Sequence, residues 1–90
     1  MASANVNHYA DATHGKACTV RVPETGAEQH VTSVTRAWRW YRNKATFERR
    51  HNQREVTGLL TYDGQAAPAC RLVLGPFGGV QKQPLESAPC

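Results

Sequence analysis

Long apolar runs are missing from this sequence. No uncharged hydrophobic stretch exceeds a few residues, so no segment reaches the roughly 20 residues a membrane-spanning helix needs. Cysteine is scarce: three, at positions 18, 70 and 90, make neither a CxxC pair nor an even-numbered disulfide framework. Residues 1–16 are polar and lack the apolar core of a secretory signal. Together these absences lead us to expect thiols in a reducing, cytoplasmic setting. Phosphate-loop chemistry is absent too. Gly75-Pro76-Phe77-Gly78-Gly79 has no GK[ST] ending and no helix after it, and reads as a turn. Acids are outnumbered, seven against eleven Lys/Arg.

What is present is one small domain's worth of chain. Ninety residues with 40% apolar content can bury roughly 60–65% of their unfolded surface. The net charge of +4 is unevenly spread. Positions 36–54 hold seven Lys/Arg and one acid, a net of +6, whereas the remainder holds four bases and six acids, a net of −2. A local positive field of this kind bears on partner choice more than the overall pI does.

Cys18, Val20 and Val22 alternate with Thr19 and Arg21, the period of a half-buried strand, and Pro23-Glu24-Thr25-Gly26 supplies a turn. Residues 30–35 are β-branched enough for a second strand. The stretch 36–55 has no Gly or Pro, and Val34, Trp38, Tyr41 and Ala45 fall at helical spacing, so a helix is expected there. Trp40 and Phe47 lie off that face, and a strand continuing to Tyr41 is the alternative. Residues 56–62 and 69–74 read as antiparallel partners across Asp63-Gly64, with Leu60, Leu72 and Leu74 in the core. The expected organisation is a mobile tail over 1–15, one α+β domain over 16–80, and a frayed tail over 81–90. One main helix on an antiparallel-biased sheet is the simplest way to bury these elements.

The run from Glu48 to Gly64, with Val56-Thr57-Gly58-Leu59-Leu60-Thr61-Tyr62 at its centre, resembles the BLUF domain, the family of flavin-binding blue-light sensors. Cys70-Arg71-Leu72-Val73-Leu74-Gly75-Pro76 and Val80 are similar to the family's second conserved segment, and Val31-Thr32-Ser33-Val34-Thr35-Arg36-Ala37 to its first strand. The similarity covers about positions 31–81. It implies a ferredoxin-like sheet, here a ferredoxin-like fragment, with FAD held between two helices. It also implies a Tyr, an Asn and a Gln around the flavin. Ser33 stands in the Tyr position, and Arg71 in the Gln position. Glu55 replaces the Gly before the Val-Thr-Gly strand. His51 falls on the Asn position with Asn52 beside it, and these two are the cofactor-binding residues the resemblance implies. The expectation is a non-enzymatic, BLUF-like domain without the photochemistry.

A second reading rests on the residues alone. Arg36, Trp38, Arg39, Trp40, Arg42 and Lys44 interleave cations with aromatics, as phosphate contact plus base stacking requires. The plain alternative is core anchors beneath a solvated cationic face, or a truncated gene product with no function of its own. His14 and Cys18 sit four apart but lack the further ligands a metal needs. Cys70 with His51 as its base would make a thiol nucleophile only if folding brought them together.

Overall fold

The computed structural model describes residues 16–85. Strict alternation places Cys18, Val20 and Val22 on one side of strand β1 (Cys18–Val22), all fully buried. The Pro23-Glu24-Thr25-Gly26 turn, with Gly26 at a φ of +80°, returns the chain as β2 (Ala27–Val31). Helix α1 (Val34–His51) crosses over β1 to reach β3 (Thr57–Tyr62), and β4 (Cys70–Leu74) and β5 (Val80–Pro84) follow as a meander. Among the described residues the result is one five-stranded antiparallel sheet of order β2-β1-β3-β4-β5 with a single helix on one face. β1 is antiparallel to both β2 and β3, so β2-α1-β3 is a split βαβ unit, as in a ferredoxin-like fragment. The architecture is α+β.

The core lies between helix and sheet. Val34, Ala37, Tyr41 and Ala45 meet Cys18, Val20, Val22, Leu60, Cys70, Leu72 and Leu74. Leu60, Leu72 and Leu74 are buried as their strand pattern implies. Helix and sheet approach most closely at Gly58. A Cβ there would stand 2.8 Å from Tyr41 Cδ1, so this strand position has room only for hydrogen. Directly beside it, the Tyr41 hydroxyl donates to the Val56 carbonyl at 2.6 Å. No described helix is long and apolar enough to cross a membrane.

Three expectations need correction. The second strand is Ala27–Val31, not 30–35. Ser33 accepts a hydrogen bond from Arg36 N at 3.2 Å and caps a helix that begins at Val34. The cap, with Val34 buried, overrides the β-branched composition of 31–35. Residues 31–37 therefore hold a strand end and a helix start instead of one strand. The helix also ends early, at His51, because Gln53 takes a φ of +51° and the Glu48 carbonyl accepts from both Asn52 N and Arg54 N. Finally, residues 80–84, expected partly to fray, form β5, registered from Leu74↔Val80 to Cys70↔Pro84. The tail expected over 1–15, His14 with it, lies outside the described residues, as does 86–90.

Candidate nucleic-acid interface

Helix α1 has a buried face and a cationic one. Burying Val34, Ala37, Tyr41 and Ala45 turns Arg36, Arg39, Arg42, Asn43, Lys44 and Arg50 to solvent. The first turn carries no acid to oppose the positive end of the helix dipole. Among the described residues, Arg36, Arg39, Arg42, Lys44 and Arg50 have no carboxylate within ion-pair distance.

The basic stretch divides at its C-terminal end. Arg49 grips Glu55 at 2.6 and 2.7 Å and donates to the Gly75 and Leu74 carbonyls at 2.9 and 3.2 Å. Arg54 pairs with Glu48 at 3.1 Å. The Glu55 carboxyl is held below its ordinary range by the hydrogen bonds from Arg49. Arg49 fastens the helix end to the sheet, Arg54 closes back on the last turn of the helix itself, and both contribute little outward field.

Two aromatics, two positions apart, leave the helix on opposite flanks. On the β5 flank the half-buried Trp38 lies in a groove of about 370 Å³ with Thr35, Arg39, Arg42 and Val80. Lys82 Nζ sits 5.7 Å from the Trp38 ring centroid, within cation–π range. The Trp38 indole N–H is buried and has no hydrogen-bond acceptor. Arg39 and Arg42 line the groove beside it, so the groove itself carries positive charge next to an aromatic ring. On the β2 flank Trp40 shares a groove of about 270 Å³ with Gln29, Val31, Arg36, Arg39 and Asn43, and Lys44 Nζ lies 5.5 Å from its ring.

All six residues singled out for nucleic acid, Arg36, Trp38, Arg39, Trp40, Arg42 and Lys44, therefore lie on one helix, between its third and eleventh residues. Tyr41 does not join them, being fully buried with its hydroxyl bonded to Val56. Lys82 does join them, although its sequence neighbourhood gave no signal. Only the β4–β5 pairing, which sets Lys82 opposite Leu72, carries it to the Trp38 ring.

His51 and Asn52, the residues implied by the flavin resemblance, sit together at the C-terminal end of α1, while Ser33 and Arg71, in the family's Tyr and Gln positions, lie elsewhere. Ser33 caps the N-terminus of α1 and His51 closes its C-terminus, 18 residues on and about 27 Å away at 1.5 Å per residue. His51 stacks on Phe47 with centroids 4.6 Å apart, and the Asn52 amide donates to Glu48 at 3.0 Å. Arg71 is exposed on the sheet face away from α1. Cys70 is buried within β4 while His51 is solvent-exposed at the helix end. No group of three His, Cys, Asp or Glu suited to a metal occurs among the described residues.

Comparison with protein-family models, with curated proteins and with solved structures finds no match to this chain.

Proposed function

We propose that this chain is a small nucleic-acid-binding module that grips the phosphates of a single strand with residues 36–44 of α1 and the groove beside it. The observation that carries this reading is the row of exposed cations Arg36, Arg39, Arg42 and Lys44 on one face of α1, with Trp38 and Trp40 in the grooves on its two flanks. A solvated helix face needs no such excess of unpaired cations beside two aromatic rings, whereas phosphates neutralise them. The exposed cations along the helix extend the contact over successive phosphates. Trp38 and Trp40 are half-buried, so they present edges to the ligand more than open faces, and the contact is mainly with the backbone and weakly sequence-dependent.

The test is fluorescence anisotropy with a labelled single-stranded oligonucleotide over a range of salt. Affinity should fall steeply with salt, at a log–log slope of about −0.7 per phosphate neutralised. Arg39→Ala and Arg42→Ala should each make the slope shallower by about one such unit. Trp40→Ala, which removes a groove-lining ring without touching a charge, should weaken binding while the slope stays nearly constant. Salt-insensitive binding, or none at low ionic strength, would reduce the basic stretch to a solvated face.

A further inference from the structure

The sheet ends differently on its two sides. β5 carries Lys82 and Pro84, two residues that discourage edge-to-edge pairing. β2, Ala-Glu-Gln-His-Val, has neither lysine nor proline, and among the described residues it pairs on one side only. We propose that β2 pairs antiparallel with β2 of a second copy of this chain, about a two-fold axis through Gln29.

Charge fixes that register. An axis at Glu28 would set two carboxylates directly opposite each other, and an axis at His30 would set two imidazoles opposite. The axis at Gln29 sets Glu28 against His30 of the second copy and Ala27 against Val31, with Gln29 meeting itself. A shift by an odd number of residues is excluded, because side chains from opposite faces would then confront one another. Within the chain, Glu28 lies beside Arg21 and the His30 ring contacts Asp63 at 3.0 Å. The pairing thus sets a hydrogen-bonding ring opposite each Glu28 carboxylate, in a row that runs Arg21, Glu28, then His30 of the second copy. On the helix side, Val31 and Trp40, both half-buried at this edge, gain apolar cover.

Such a two-fold axis is perpendicular to the sheet, so both helices lie on the same face and the two cationic surfaces point the same way. The two β1 strands are three strand spacings apart, about 14 Å. Arg36 and Arg39 share the groove of Gln29 and so face the axis, and their repulsion, which opposes the pairing, weakens as salt screens it. The pairing does not rest on the nucleic-acid reading, although a shared polyanion would favour it.

The experiment uses the full chain in a Cys90→Ser background. Sedimentation should show a concentration-dependent shift from 9.9 kDa towards twice that mass. Gln29→Lys, which places two ammonium groups on the axis, should hold the protein monomeric, with the melting temperature that the wild-type chain shows when dilute. Gln29→Cys should cross-link under mild oxidation, since residues directly opposite lie about 4.5–5.5 Å apart at Cα. Glu28→Cys should not, being displaced from its counterpart along the strands. A chain that stays monomeric at millimolar concentration, a dimer that Gln29→Lys leaves intact, or equal cross-linking at 28 and 29 would each overturn the proposal. If Gln29→Lys melts below the dilute wild-type chain, the contrast between the two cysteine variants decides.

Discussion

At the scale of single residues, the join between helix and sheet depends on Tyr41 and Gly58. Gly58→Ala drives a methyl into the Tyr41 ring, 2.8 Å away, and overpacking of this kind costs typically 1–3 kcal/mol. Tyr41→Phe leaves the Val56 carbonyl without its donor, a loss of about 1–3 kcal/mol that urea unfolding should register. Burial pushes the Tyr41 phenol up from 10.0 to about 12, and burial first, then the Asp63 charge, pushes the Cys18 thiol up from 9.0 to about 11. Both native groups hold their protons more tightly than the unfolded chain does. Their contribution to stability is therefore complete below about pH 9 and is lost as the pH rises through 11 and 12. Thermal melts from pH 8 to 12 should show this decline. At pH 8 Cys18 should react with thiol reagents only as fast as the protein unfolds.

At the scale of elements, α1 is set by its cap and by what it covers. Ser33→Ala should destabilise by about 1 kcal/mol, because the side chain that satisfies Arg36 N is lost. Leu60→Ala, at a fully buried position of β3, should cost about 2–5 kcal/mol, enough to leave much of a small domain unfolded. Circular-dichroism melts of the two variants should rank them in that order. β1 was legible from the alternation of Cys18, Val20 and Val22 alone, and the β3–β4 pair from two apolar runs across Asp63-Gly64. β2 was misplaced because Ala27-Glu28-Gln29 has little strand propensity. Its pairing is imposed by the four-residue turn from β1, while the β-branched residues after it are drawn into the helix by the Ser33 cap. β5 was missed for the same reason: Gln81, Lys82 and Gln83 carry no alternation, and only the neighbouring β4 edge orders them.

For the molecule as a whole, the distribution of charge governs the expected behaviour. Binding to a polyanion should depend on Arg36, Arg39, Arg42 and Lys44, not on Arg49 or Arg54. Arg49→Ala should therefore lower the melting temperature, by unfastening the helix end from the Leu74 and Gly75 carbonyls, and leave the salt slope of binding almost unchanged. The flavin resemblance has its own whole-molecule test. Protein mixed with FAD and desalted should be colourless, with no reversible red shift after blue light. Ser33 is not a phenol, and Arg71 has donors but no acceptor to exchange with them. A retained yellow band that shifts with light would restore the sensor reading.

The class of this fold and the place of its positive field were legible from the residues alone. Strand alternation, the Gly-free and Pro-free stretch and the cluster of Lys/Arg are local patterns, and local physics suffices to read them. Tertiary structure decided how the cluster is used. Nothing in the spacing distinguishes Arg49 and Arg54, which become fasteners, from Arg39 and Arg42, which face outward. Nothing local predicts that Lys82 reaches Trp38 or that the Trp38 indole is buried without an acceptor. Those outcomes depend on which strand edges meet and on which side of the helix the sheet covers, and both are set by contacts between residues far apart in the chain.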